Sequence, residues 1–460
     1  MVKTPLFNLT FSSPDAFLSV HHILLVKIIT IENIVSDMGE AGSQEGRKNS
    51  ILQDFSFIHG NFLIILIGWL LVDFTREMAY TYYPLYVTAL GGTATILGAI
   101  NAAAILVEAY VKIPGGILAD KFRRKKLIIV MTVFASAFYL IYAFAPSWHY
   151  LLLGQVLTSL CWIYAPGFDS IVMESLPGDK RGTGYSLINL ITKVSTTPSP
   201  LIAGFLFTRY GVVGTSRIGF IFVSAAFLAA SLMRWRLKEE TDKPEVTTKD
   251  FMASLGNYKG FVEGVGIWRE VPSSLRALFS VELLYIIPNV MFNVIMTLYI
   301  VNDLGISEVQ FSKLGAIIGI TMIIFAIPSG RLIDRFGRVK PLLFGYALTA
   351  AAVPILFHAS FMQLVLATPI IGLLNVIFYT STQALWADLI PEDKRGRVMG
   401  SKGFFSLIGI ASGNILGGLI YDNISHTLPI YIFWAVTIPC FIITWLYVKE
   451  PKKSEEVVED

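Results

Sequence analysis

IPGGILADKFRRKKL fills positions 113–127, and IPSGRLIDRFGRVKPL fills 327–342. Pro114 and Pro328, Gly116 and Gly330, and Asp120 and Asp334 are each 214 residues apart. ESLPGDKRGTG at 174–184 and DLIPEDKRGRV at 388–398 keep that offset and align Pro177 with Pro391 and Arg181 with Arg395. Two matches at one offset mark an internal duplication. Both copies are flanked by long apolar runs, so the duplicated unit belongs in a membrane. Two such repeats rocking about a mid-membrane site give alternating access, so the duplication predicts a secondary transporter.

Composition agrees. Hydrophobic residues make up 54% of the 460 and charged residues 15%, against about 25% charged in soluble domains. A span needs about 20 apolar residues. Such runs predict spans 1–6 at 61–84, 95–118, 126–145, 149–173, 184–208 and 217–237. Spans 7–12 follow at 277–300, 310–332, 340–359, 361–385, 398–421 and 427–448. The expected fold is an all-α membrane protein, with twelve transmembrane helices in two pseudo-symmetric six-helix bundles. The chain divides into a tail at 1–59, bundles at 60–237 and 276–448, a linker at 238–275 and a tail at 449–460.

Charge sets orientation. Lys121, Arg123, Arg124, Lys125 and Lys126 lie between spans 2 and 3; Lys180 and Arg181 follow span 4; Arg234, Arg236 and Lys238 follow span 6. Arg335, Arg338, Lys340, Lys394, Arg395, Arg397, Lys449, Lys452 and Lys453 repeat the pattern in the second half. The opposite loops are short and poor in Lys and Arg, so both termini and the linker are expected in the cytoplasm and the protein in the cell membrane. Every basic cluster adjoins a span on one side only, which argues against nucleic acid as a partner. The stretch 17–35 reads as an interfacial amphipathic segment, an extra span, or sequence upstream of a start at Met38. The linker stretch 257–268 reads as a short helix on the inner membrane surface.

The repeated loop resembles the signature of the major facilitator superfamily: Gly116, Leu118, Asp120, Lys121, Arg124 and Lys125 in one copy, and Gly330, Leu332, Asp334, Arg335, Gly337 and Arg338 in the other. One position departs, with Arg123 where the pattern has a second Gly, and this puts the first turn's geometry in question. The resemblance implies a cytoplasmic latch in which Asp120 faces the start of span 11 and Asp334 the start of span 5, each stabilised by a helix N-terminus by about 0.3–1 kcal/mol. The gate then comprises Gly116, Asp120, Lys121, Arg124, Glu174 and Arg181, with Gly330, Asp334, Arg335, Gly337, Arg338, Asp388 and Arg395.

The two halves differ inside the membrane. Asp73, Arg76 and Glu77 share one face of span 1, and Glu108 and Lys112 are one turn apart in span 2. The matching positions, Ile286, Asn289, Val290, Met322 and Ala326, carry no charge. A charge at mid-bilayer costs at least about 2.5–3.5 kcal/mol, so these groups are expected to face a cavity or pair with one another. The expected pairs are Arg76 with Glu77 or Glu108, and Asp73 with Lys112. A purely structural role, tying spans 1 and 2 together, is the alternative.

The resemblance also implies that spans 1, 4, 7 and 10 line the pathway. They offer Tyr80, Trp162, Tyr164, Tyr285, Asn289, Asn293, Asn375 and Tyr379, while Tyr82 and Tyr83 read as an interfacial belt. The span-4 Arg of many drug:proton antiporters in the family is missing here. Cys161 and Cys440 read as buried apolar residues. No phosphate cradle, zinc spacing or nucleophile elbow occurs, so neither an enzyme nor a cofactor is expected. The predicted function is proton-coupled efflux of a small organic solute by a monomer in the bilayer, amphipathic or cationic solutes first. Proton-coupled uptake of an organic anion on Arg76 and Lys112, or a non-transporting sensor on the same fold, are the alternatives.

Overall fold

The computed structural model describes residues 58–177, 181–239, 244–247, 262–391 and 394–450. The stretches 17–35 and 451–460 lie outside them. All twelve predicted segments are helical where described, and no strand occurs among the described residues. Ten helices are long and apolar enough to cross a membrane by length and composition. One of these, Leu187–Arg234, carries two of the predicted spans and turns at Gly211, whose φ of 65° and ψ of −173° is open in practice only to glycine. Span 1, Gly60–Tyr80, is not among the ten and carries Asp73, Arg76 and Glu77. The short helix Tyr83–Ala89 completes its crossing.

Span 2 is Ala94–Lys121 and span 3 is Arg124–Ala143. Span 4 runs as Trp148–Cys161, a 3₁₀ turn at Trp162–Tyr164, and Ala165–Glu174. Pro166, in the first turn of the last piece, lacks the N–H that would bond back, which breaks the α-helix beside Trp162. The second half repeats the order in Ser273–Leu298, Glu308–Phe336, Val339–Ala352, Phe361–Leu389, Arg395–Asn423 and Leu428–Tyr447. Large apolar side chains such as Leu106, Leu366 and Trp445 point outward, as a lipid-facing surface requires.

Within each half the third and sixth spans pack together, as do the first and sixth. The halves meet along span 2 against span 11 and span 5 against span 8. This seam is closed at one end only. A Cβ on Gly98 would strike the Asn414 carbonyl, and one on Gly418 the Ala94 carbonyl. There the Asp422 carboxylate accepts the Thr95 N–H (2.7 Å) and the Ala94 N–H (3.2 Å), and the Tyr82 hydroxyl donates to the Glu308 carbonyl (2.8 Å). Toward the end with the basic loops, a Cβ on Gly116, Gly330, Gly400 or Gly403 would meet nothing within 4 Å. Asp120 is exposed there, as are Lys121, Arg335 and Arg395.

The basic ends are held by charge networks inside each half. Arg124 donates to both Glu174 oxygens (2.8 and 2.9 Å) and through Nε to Glu239 (3.0 Å). The Glu239 carboxylate also accepts the Arg124 and Lys125 amides, both at 3.0 Å, and so caps span 3. Burial opposes its charge, but these amides and the guanidinium outweigh burial and hold its carboxyl below the usual glutamate range. Glu450, just after span 12, caps span 9 likewise through the Arg338 and Val339 amides. Arg338 meets Asp388 at 3.0 Å, though Nε is off the hydrogen-bond line. Of the expected gate, Arg124, Glu174, Arg338 and Asp388 are thus engaged within their own halves in this conformation.

The two repeated loops take different paths. Gly337 adopts φ +88°, and a Cβ there would lie 2.6 Å from the Glu450 carboxylate. Arg123 instead sits at φ −64°, ψ 128° and donates its N–H to the Pro244 carbonyl (2.8 Å), so the first turn needs no glycine. The linker differs from expectation as well. Val262–Arg269 is a 3₁₀ helix packed on span 11, with Ile267 fully buried and Trp268 stacked 3.6 Å from Phe279. It docks on the second bundle, while residues 257–261 of the expected surface helix lie outside the described residues.

Candidate functional site

Just beneath the closed end of the seam lies a cavity of about 300 Å³. Spans 1 to 4 supply nearly all of its wall: Arg76 and Tyr80, Asn101 and Glu108, Tyr139, then Gln155, Thr158, Ser159 and Trp162. Span 11 adds Asn414, whose carbonyl meets Gly98 in the seal. The break in span 4 turns Trp162 inward. Its ring stacks 5.8 Å from Tyr164 and lies 5.6 Å from the Arg76 guanidinium.

Behind this wall the side chains are rigidly held. Tyr83, Tyr139, Tyr142 and Phe220 form one aromatic cluster, with Tyr142 stacked on Phe220 at 4.7 Å. Tyr82 and Tyr83 are only 1% and 3% exposed, so the interfacial reading of both fails. Their rings fill the interior because the helix restarts at Tyr83 and turns them toward the bundle.

The intramembrane charges do not pair as expected. Glu108 binds its own-helix neighbour Lys112 at 2.7 Å rather than Arg76. The Asp73 carboxylate accepts from the Thr192 hydroxyl of span 5 (3.1 Å), not from Lys112. Lys193 of span 5 and Arg76 are the cations acting on Glu77, and Lys112 acts on Asp169 of span 4. Arg76 takes part in no ion pair among the described residues, and its Nε is buried without a hydrogen-bond partner. The one-turn spacing favoured the Glu108–Lys112 pair, and Arg76 lies beside the Trp162 ring in the field of Asp73.

The second-half candidates do not reach this cavity. Tyr285 packs in an aromatic cluster with Tyr346, Phe378 and Phe433 at 5.5–5.7 Å. Asn289 accepts from Asn293 (2.7 Å), while Asn375 and Tyr379 are exposed on span 10. The side chains of Arg181 and Asp334 lie outside what is described. The second half holds a charge pair of its own that the repeat comparison passed over. Lys402 meets Glu282 at 3.3 Å and sits 4.2 Å over the Trp386 ring, whose Nε1 donates to Glu282 (2.7 Å). Gln155, Tyr139, Asn101 and Asn414 were also missed, since single polar residues in apolar runs carry no spacing signal. Cys161 and Cys440 are buried and free, and no metal-ligand cluster occurs among the described residues.

The family model of the Major Facilitator Superfamily matches residues 65–287 and again 278–459. The chain belongs to the major facilitator superfamily. Among its relatives is an uncharacterized MFS-type transporter of Methanocaldococcus jannaschii, 22% identical over 78% of this chain and 88% of that one. A multi-drug resistance efflux pump, PmrA of Streptococcus pneumoniae, is 24% identical over 81% and 92%. The crystal structure of the nucleoside transporter NupG superposes with a TM-score of 0.64 at 13% identity, covering 84% of this chain and 99% of that one. This superfamily member is therefore a multi-pass membrane transporter of small molecules. In all three comparisons most of both chains is covered, so the whole two-bundle unit is shared.

Proposed function

We propose that this protein exports a small organic solute by alternating access, driven by protons moving down their gradient. The observation that carries this reading is the one-ended seam: the halves touch above the cavity and part below it, as a rocking pair must in one of two states. The excess of Lys and Arg makes the parted end cytoplasmic, so this is the inward-open state with both termini inside. Asp120 and Asp334, with Gly116, Lys121, Arg181, Gly330, Arg335 and Arg395, form the gate that closes in the other state. Export is favoured by the drug-efflux names of relatives.

Glu108 is the proton carrier in this reading. It is the one carboxylate in the cavity wall, and Lys112 holds it from the open side. Protonating Glu108 releases Lys112 toward Asp169, which couples charge to conformation. Asp73, which accepts from the Thr192 hydroxyl and forms no ion pair among the described residues, is the second candidate. In proteoliposomes, Glu108→Gln is expected to abolish pH-gradient-driven accumulation while leaving downhill exchange intact. Full gradient-driven transport in both Glu108→Gln and Asp73→Asn would make the cluster structural. Accumulation with the opposite direction of proton flow would establish uptake instead.

A further inference from the structure

We infer that the cavity beneath the seal is an oxyanion-and-aryl subsite, built for a small planar aromatic solute carrying a carboxylate or similar acid group. The proposal deepens the transporter reading by naming the solute's chemistry. Binding itself requires only the cavity.

Arg76 is the first support. A buried guanidinium without a carboxylate is costly, and structures retain one where a counter-charge arrives from outside. None of the nearby acids forms an ion pair with it: Asp73 accepts from Thr192 (3.1 Å) and touches Arg76 only through its field, and Glu108 pairs with Lys112 (2.7 Å). Glu77 lies in the fields of both Lys193 and Arg76 and forms an ion pair with neither among the described residues. Trp162 lies 5.6 Å from the guanidinium, and the two residues line the same cavity, where the guanidinium fork matches a planar acceptor.

Gln155 is the second. Its Oε1 accepts from the Tyr142 hydroxyl (2.6 Å) and from the Tyr80 hydroxyl (3.3 Å). With the oxygen turned to those two hydroxyls, Nε2 is the end of the amide left over. Nε2 has no protein acceptor among the described residues, although Gln155 lines the cavity. Arg76 and Gln155, from spans 1 and 4, therefore present unspent donors to one space.

The remaining wall selects the rest of the ligand. Trp162, Tyr80 and Tyr139 supply aromatic surface for a flat ring. A volume of about 300 Å³ is at the small end of ligand sites. A cationic solute would sit beside a guanidinium that forms no ion pair among the described residues, so the site reverses the expectation of a cationic substrate. Lys112, neutralised by Glu108, is not an anion ligand here.

The test uses the full chain in nanodiscs and calorimetric titration with three matched probes: 2-naphthoate, 2-naphthylmethanol and 2-naphthylmethylammonium, each corrected with empty discs. Naphthoate should bind at least about tenfold tighter than either other probe, the scale expected for a buried charge-assisted hydrogen bond. Arg76→Gln should erase that preference and Arg76→Lys should restore part of it. Trp162→Leu should weaken naphthoate and naphthylmethanol alike. Equal or tighter binding of the ammonium probe to the unmodified protein overturns the proposal, as does a preference that survives Arg76→Gln. The three-probe comparison decides the matter even if a variant fails to fold. Counterflow of labelled naphthoate in proteoliposomes is read separately. Selective binding without counterflow sinks the transporter reading and keeps the site, while transport that favours the ammonium probe sinks the site alone.

Discussion

At the residue scale, Arg124 is the most heavily engaged cation described. It is 8% exposed, holds Glu174 with both terminal nitrogens, and shares Glu239, itself 4% exposed, with the start of span 3. Removing one partner of a buried pair leaves the other charge unmatched, so Arg124→Gln should cost about 3–5 kcal/mol of stability. Glu239→Gln should also destabilise, because the Arg124 amide binds one carboxylate oxygen and the Lys125 amide the other, and Gln offers one acceptor oxygen in place of two. Its pH signature has a definite sign. The Glu239 carboxyl is held below its ordinary 4.5, so its contribution is complete above that value and is lost as the pH falls below it. Thermal unfolding in detergent at about pH 7 and about pH 3.5 should show a larger acid loss in the unmodified protein than in Glu239→Gln. An identical loss in both would remove Glu239 from the acid response. The repeat made Arg124 and Glu174 legible in sequence, through their counterparts Arg338 and Asp388. Glu239 and Glu450 were not legible, because each closes its network across a long loop from the far end of its half.

At the scale of the element, breaks in helices do the positioning. The 3₁₀ turn before Pro166 aims Trp162 at Arg76, and Gly211 reverses the chain between spans 5 and 6. At φ 65° and ψ −173°, a side chain at 211 is strained whatever space surrounds it. Gly211→Ala should therefore cost about 1–3 kcal/mol, measured as a lower melting temperature in detergent. Gly400→Ala, in a helix with open space around it, should be neutral or stabilising by up to about 1 kcal/mol. If the two substitutions behave alike, strain at 211 is not what shapes that turn. Span existence was plain from apolar runs. The broken interior of span 4 was not, since a proline in an apolar run is compatible with a kinked or a continuous helix.

At the scale of the whole molecule, the two ends of the seam oppose each other. Asp422 stabilises the closed end through the N-terminus of span 2, and in the proposed gate Asp120 and Asp334 do the same at the other end after the halves rock. Asp422→Asn should shift the population away from the conformation seen here, while Asp120→Asn and Asp334→Asn should shift it toward that conformation. A helix-end charge worth about 1 kcal/mol changes the ratio about fivefold. Because Cys161 and Cys440 are buried, thiol labelling of a cysteine placed at exposed Gly403 reads the open end directly. Labelling should fall with Asp422→Asn and rise with the other two. Changes of the same sign in all three would show that the ends are not reciprocally linked.

Sequence alone determined the duplication, the membrane class, the family resemblance and the charge asymmetry. Each is carried by composition or by residues near one another in the chain, where hydropathy and fixed offsets act directly. Tertiary structure alone decided which ionisable groups found partners. Lys112 turned to Glu108 on its own helix, Asp73 turned to Thr192 on another, and Arg76 was left facing Trp162 and an open cavity. Those outcomes depend on distances between spans that are remote in sequence, and at mid-membrane a gap of a few ångströms separates an ion pair from an unmatched charge.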